Sequence, residues 1–292
     1  MRVSNCRFIN FVEVALELCV CLPLYFSKFS KKDFTVHQLL VLLVLKQKLK
    51  CSYETLVDDL ETRPFVVRLL GLKRIPDEST VRKFAKRLKA DIIYYLLADC
   101  SKKISKKKLK LAIDATGLHV EDGSFSYRKR LGLSSKTRKN VKLSACIDTQ
   151  TQLITAVKLR KSKAADTKDF INLVQKTAKV KPVKIVVADK GYDAEYNHKY
   201  VKEKIGAECI IPPREKTNKK HRTKGKYRKR LRHGYSKKKY HQRSKIESVF
   251  FVIKRLYGAT LHSNSWPTQK IELLCKIIAY NTHRLVKTRM SG

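Results

Sequence analysis

Four residues near the end of this 292-residue chain have types and spacing that suit phosphate chemistry: Tyr240, Arg243, Glu247 and Lys254. They lie in a stretch without Gly or Pro, where Ile246, Val249, Phe250, Ile253 and Tyr257 recur at helical spacing, so an amphipathic helix is expected. At about 100° per residue, the four fall within about 60° of one another, beside the apolar stripe. One face then presents an aromatic ring, two cations and a carboxylate. The plainer alternative is a solvated face with an Arg–Glu i,i+4 pair. Two further acids, Asp114 and Asp189, each close an apolar run, Lys110–Asp114 and Val183–Asp189, that reads as a strand ending on an acid. Each alone could be a strand-end cap or a turn former. Together with Glu247 they would be three carboxylates that repel unless cations lie between them. Mg²⁺ needs only a few carboxylate oxygens, and two such ions about 4 Å apart can activate an attacking hydroxyl and stabilise a leaving oxygen at phosphorus.

Those acids need a scaffold, and the chain changes character at the lysine-rich linker Ser101–Lys108. Beyond it, Val141–Ile147 and Leu153–Leu159 read as strands around the polar turn Asp148–Gln152, and a helix is expected at about Thr167–Ala178. The strand Val183–Asp189, a helix over Asp193–Ile205 and a strand at Cys209–Ile211 follow. This order predicts an α/β fold, a mixed sheet flanked by helices. Before the linker the pattern is helical. His37–Leu45 reads as a buried helix and Ser52 as a cap. Ser79 or Thr80 is expected to cap a helix that turns Arg82, Lys83, Lys86 and Arg87 outward. Such an arrangement suits a helix-turn-helix DNA reader, or equally an ordinary helical bundle with a basic face. The expected organisation is a helical, DNA-binding domain over 1–100 and a catalytic domain over 108–292.

The formal charge is +41, from 66 Lys and Arg against 25 Asp and Glu, and a polyanion such as nucleic acid is the partner that best tolerates it. Much of it sits in the segment 213–240. Residues 214–239 hold fourteen Lys or Arg, Arg228, Lys229 and Arg230 among them, and the acid Glu215. With no apolar periodicity, this segment reads as a loop that contacts DNA, or as a solvated charge run. The apolar run near Phe11–Phe26 is interrupted by Glu13 and Glu17, so neither a membrane span nor a signal peptide is expected. Eight scattered cysteines without zinc-finger spacing read as reduced thiols of a cytoplasmic protein.

Motifs sharpen this. Tyr-x2-Arg-x3-Glu-x6-Lys, met by Tyr240, Arg243, Glu247 and Lys254, resembles the signature of the insertion-sequence DDE transposases of the four/five superfamily. Ile113-Asp-Ala-Thr-Gly117 and Ala188-Asp-Lys-Gly-Tyr-Asp193 resemble the blocks around their first and second catalytic Asp, and Ile75-Pro-Asp-x-Ser-Thr an element of their N-terminal domain. The resemblance implies an RNase H-like fold with Asp114, Asp189 and Glu247 as catalytic residues holding two Mg²⁺ ions, with Mn²⁺ as a substitute. It implies that Tyr240, Arg243 and Lys254 contact DNA, with Lys190 and Asp193 as secondary candidates. The expected partners are double-stranded DNA, as terminal inverted repeats and target, and a second copy of the chain in a synaptic homodimer, in a prokaryotic, nucleoid-associated setting. The alternatives are a metal-dependent nuclease without strand transfer and an inactive or domesticated relative that binds DNA as a repressor. Better-studied relatives carry a long β-rich insertion between the second Asp and the Glu. Here Glu247 follows Asp189 by 58 positions across a basic segment, so the hairpin route tied to that insertion is not implied.

Overall fold

Leu39–Leu45 is an unbroken apolar run, and its helix is accordingly buried on every side. The computed structural model describes residues 6–102, 108–121, 129–130, 132, 140–161, 165–214 and 223–291, so most of the Ser101–Lys108 linker and residues 215–222 of the basic segment lie outside the described residues. In chain order the helices are α1 (Arg7–Cys19), α2 (Val36–Leu49), α3 (Tyr53–Glu61), α4 (Pro64–Leu69), α5 (Glu78–Arg87) and α6 (Ala90–Lys102). Then come β1 (Leu109–Val120), β2 (Asn140–Asp148), β3 (Ile154–Arg160), α7 (Thr167–Ala178), β4 (Val183–Ala188), α8 (Glu195–Lys199) and β5 (Glu208–Ile210). The remainder is α9 (Lys226–Arg232), α10 (Lys237–Tyr240), α11 (Ser244–Tyr257), β6 (Thr260–Leu261) and α12 (Trp266–Ser291).

These elements form two units, one of residues 1–99 with 253–292 and one of residues 100–252. In the helical unit α2 is the centre, packed by α1, α3, α5 and α12. Thr35 accepts from the Gln38 amide while the Gln38 side chain accepts from the Thr35 amide, a reciprocal cap that starts α2 at Val36. Ser52 caps α3 in the same sense, through the Thr55 amide. Leu42 is fully buried in α2, so Leu42→Ala should lower the unfolding free energy by about 2–5 kcal/mol, read from a denaturant melt. Helix α5 starts earlier than expected: Asp77 is its N-cap, and Ser79 and Thr80 lie inside the first turn. The C-terminal helix α12 packs on α1 and α2, its run Ile271–Thr282 buried throughout.

The second unit is built on a sheet in the order β3-β2-β1-β4-β5. Strands β1–β2 and β2–β3 are antiparallel, β1–β4 and β4–β5 parallel, an RNase H-like α/β arrangement flanked by helices. Strand β2 is buried continuously from Leu143 to Asp148, as expected of a strand covered on both faces. Its hairpin to β3 is set by Asp148, whose buried carboxylate accepts from the Lys110 and Thr151 amides and the Thr151 hydroxyl. Helix α7 lies on β2 and β3, with Phe170, Leu173 and Val174 buried beneath it. Two sequence expectations are corrected here. Asp114 does not end a strand: β1 continues to Val120, because β2 pairs with it through His119. The basic segment is not one irregular loop, since residues 226–232 and 237–240 are the helices α9 and α10.

Candidate active site

Asp114 and Asp189 are neighbours because their strands are. In the parallel pair β1–β4, Ile113 stands opposite Ala188, and the residue that follows each is one of the two acids. Asp189 follows β4 directly, and its carboxylate accepts from the Lys190 amide at 2.7 Å, starting a one-turn 3₁₀ helix over Lys190–Tyr192. That turn is anchored by Tyr192, whose ring is buried against Phe170. Asp114 accepts from the Ala115 amide at 2.8 Å with Oδ1.

Glu247 arrives from the other direction. The stretch expected to be a single helix is broken: α10 ends at Tyr240, a 3₁₀ turn spans His241–Arg243, and only from Ser244 does α11 run as an α-helix. Tyr240 and Arg243 are therefore not on one helical face with Glu247. The turn lies against β1 and β4, which delivers Arg243 to the acids. Its Nη1 donates to Asp114 Oδ2 at 3.1 Å, and its Nη2 is 2.7 Å from Glu247 Oε1. The i,i+4 pair anticipated as the plainer reading is thus present. The guanidinium also bridges to a residue 129 positions earlier, which a solvated helix face would not do. Next to it, the Tyr240 ring lies 6.0 Å from the guanidinium and meets Tyr235 edge-on at 5.5 Å.

The electrostatics follow. Burial pushes the Asp114 carboxyl above its ordinary range; the Ala115 amide and Arg243 pull it down, and Asp189 and Glu247 push it up. Burial alone would lower the Arg243 guanidinium, but Glu247, Tyr240, Asp114 and Asp189 outweigh it and raise it. Asp114 therefore feels Asp189, Glu247 and the Arg243 guanidinium at once. Glu247 is the most open, at 54% side-chain exposure against 20% for Asp114.

The other sequence-predicted residues are dispersed. Lys254 lies two turns beyond Glu247 on α11, about 10 Å along the axis. Arg82, Lys83 and Lys86 are exposed on α5 in the helical unit, with Arg82 paired to Glu78 at 3.1 Å. Lys190 is exposed in the turn after Asp189, and Lys229 and Arg230 are exposed on α9. Arg228 is not turned outward with them. It makes a two-pronged contact with Asp193, Nε to Oδ1 at 2.8 Å and Nη2 to Oδ2 at 2.6 Å. Asp193 itself, with a wholly buried side chain, also accepts from the Arg214 amide and has His198 Nε2 at 3.5 Å. Sequence reasoning missed Glu195 and Arg214, which join this contact. The signal available was the spacing of Asp193, Glu195, Glu203 and Glu208 just ahead of a basic run that needed something to lie on.

Known proteins decide what this scaffold is. The profile of the transposase DDE domain matches residues 105–282, more than half of the chain. The chain belongs to that family. A search of curated proteins gave no match. Among solved structures, a piggyBac transposase synaptic complex with hairpin DNA, studied by cryo-EM, is similar, with a TM-score of 0.51 at 12% identity over 98% of this chain and 73% of that one. That likeness is one of fold.

DDE transposases generally use divalent metal ions. The donors here fit such an ion in kind, being carboxylate oxygens of Asp114, Asp189 and Glu247, which suit hard cations. They do not form a ready cage: among the described residues no group of three His, Cys, Asp or Glu stands close enough to hold a metal, and the Arg243 guanidinium lies between Asp114 and Glu247. Among the described residues no helix is long and apolar enough to cross a membrane.

Proposed function

We propose that this transposase cuts transposon-end DNA and joins it to target DNA, with Asp114, Asp189 and Glu247 as catalytic acids that hold two Mg²⁺ ions, or Mn²⁺ in their place. The observation that supports this reading is that Asp114 and Asp189 each directly follow the paired residues Ile113 and Ala188 of adjacent parallel strands, with Arg243 paired to both Asp114 and Glu247. The bound ions would supply a hydroxyl activated at neutral pH and a counter-charge for the leaving oxygen. The chain's own residues do the rest. Strand β1 carries Asp114 and the capped turn that follows β4 holds Asp189, while the exposed Glu247 approaches from the first turn of α11.

Arg243 is the phosphate clamp. Its fork already holds two carboxylates, and the same planar geometry matches two phosphate oxygens of a scissile strand. Tyr240 supports that guanidinium from the side and offers a ring for stacking. Lys254 is expected to contact the DNA backbone as well. These assignments, with the Tyr-Arg-Glu-Lys pattern, support membership in the insertion-sequence branch named above. Cutting both ends of one element calls for two copies, so a homodimer on paired ends is the working form. Incubating the protein with Mg²⁺ and plasmid DNA carrying the element's own ends tests the reading. Defined cuts at the ends are expected, and intact plasmid after incubation with folded protein rejects it.

The basic segment should add affinity without sequence preference. Replacing the exposed Lys226, Lys229, Arg230, Lys237 and Lys238 by Gln should flatten the slope of log K against log salt by about 0.9 for each phosphate no longer neutralised. Preference for the terminal sequence should survive. An unchanged slope, measured by fluorescence anisotropy at several salt concentrations, removes these side chains from the DNA. Substituting Arg82 or Lys83 on α5 should do the reverse and erode sequence preference.

A further inference from the structure

Helix α9 should not exist on its own. It is seven residues long, buries none of them, consists mostly of like charges and starts at Gly225, which has no side chain to cap it. So short a helix is unstable in isolation. What holds it is acidic and comes from elsewhere. The Glu195 carboxylate accepts from the Tyr227 amide at 3.0 Å and the Arg228 amide at 3.2 Å, serving as an external N-cap where the helix dipole favours an anion. Gly225 is required there: its φ is +100°, and a Cβ would collide with the Glu195 carboxylate. Asp193 then takes the Arg228 fork.

The same Asp193 carboxylate faces the active-site turn. Its Oδ2 accepts from the Arg214 amide at 2.9 Å, and the Arg214 guanidinium donates to the Lys190 carbonyl at 2.8 Å and to the Gly191 carbonyl. The Lys190 amide in turn donates to Asp189 Oδ1. An unbroken route of charged hydrogen bonds thus runs from α9 through Asp193 and Arg214 to the turn carrying Asp189. In the other direction the chain passes from α9 through α10 into Tyr240, Arg243 and Glu247. Burial alone would raise the Asp193 carboxyl, but His198, Arg228 and the Arg214 amide together hold it well below the usual carboxylate range. It is therefore charged whenever the protein is folded at ordinary pH.

We propose that Asp193 is a positioning residue: with Glu195 it clasps the basic segment against the turn behind Asp189, so that phosphates bound on α9 set the alignment of the catalytic acids on both sides. This rests on the function proposed above. The Asp193 side chain is wholly buried, so it acts through Arg228 and Arg214. A mere prop would lower stability alone, whereas a positioning residue lowers the rate in a complex already formed.

The test uses the full chain and a labelled duplex carrying the element's own end, comparing wild type, Asp193→Asn, Arg228→Gln, the double variant and Asp189→Asn. Hydrogen exchange of the Tyr227 and Arg228 amides without DNA should quicken at least about tenfold in Asp193→Asn, since their helix loses its anchor. Single-turnover cutting at saturating DNA should fall at least about tenfold, with Kd changing less than about threefold. Arg228→Gln should match it, and the double variant should be no worse than the poorer single, as expected of one coupled pair. Cutting at the wild-type rate by Asp193→Asn, losses that multiply in the double variant, or a loss confined to Kd each overturns the proposal. If Asp193→Asn does not fold, Arg228→Gln decides alone, and its wild-type cutting has the same consequence. Wild type that does not cut, or Asp189→Asn that does, sinks the proposed function, and the inference with it. An inactive Asp189→Asn beside a fully active Asp193→Asn sinks only the inference.

Discussion

Asp114→Asn, Asp189→Asn and Glu247→Gln should each abolish cleavage of end DNA, with rates at least about a thousandfold below wild type, while the variants still fold and bind ends. An amide keeps the shape of the carboxylate but loses the charge that a divalent ion needs. On the proposed mechanism the three act as one unit, so a double variant should be little worse than a single. Stability separates this from structural damage. The raised pKa of Asp114 means that ionising it in the fold is unfavourable. That penalty is absent below the unfolded-state pKa, grows as pH rises and is complete above the folded-state pKa. At neutral pH Asp114→Asn removes it, leaving Arg243 still paired to Glu247, so the variant should melt no lower than wild type while cutting nothing. A single variant that keeps more than about a tenth of wild-type cleavage takes that residue out of the site.

The apolar runs of β2, β3 and β4 and the helix at 167–178 were legible because each is buried by local pattern, which the sequence carries directly. The continuation of β1 past Asp114 was not. Ala115-Thr116-Gly117 has weak strand character by itself, and the nine residues from Leu111 to His119 are held by the register of β2. Likewise the helical periodicity runs straight through Tyr240–Ser244, so nothing in it announces the turn that lifts Arg243 off α11. That break follows from the turn's packing on β1 and β4, a tertiary contact. The motifs single out Asp114, Asp189 and Glu247 as candidates. Their geometry was not legible, because it depends on which strands are neighbours.

Helices α9 and α10 show the same limit in the other direction. Composition alone argued against order in a run of like charges, and the argument holds for the run in isolation. Order comes from acids on other elements: Glu195 and Asp193 for α9, and Glu208, which takes Lys239 at 2.7 Å. Tyr227 adds its hydroxyl to Glu203. A basic stretch can therefore be both docked and available to DNA, since the docked edge uses Arg228, Lys239 and backbone amides and leaves Lys229 and Arg230 exposed.

Arg243→Ala should slow cutting about a hundredfold at saturating DNA, the scale on which small misplacements of a reacting strand are felt. A surface i,i+4 pair predicts a few tenths of a kcal/mol of stability and no kinetic effect. The bridge to Asp114 is what makes the two readings diverge. Arg243→Lys should recover only part of the rate, because an ammonium keeps the charge but loses the fork that reaches two oxygens at once. Removing the guanidinium also leaves Asp114 beside Asp189 and Glu247 without its counter-charge, so its folded-state pKa should rise further. By linkage, Arg243→Ala should be less stable than wild type at neutral pH, and the deficit should shrink as pH falls through that raised pKa toward the unfolded value. Lys254→Ala and Tyr240→Ala leave the carboxylates paired and should slow cutting at least about tenfold without this pH signature, Tyr240 through a stacking contact worth about 1–3 kcal/mol. Melts of Arg243→Ala across acid to neutral pH, set beside single-turnover rates of all four variants, check both halves. A deficit that does not vary with pH, or wild-type rates in Arg243→Ala, would return Arg243 to the role of a surface ion pair.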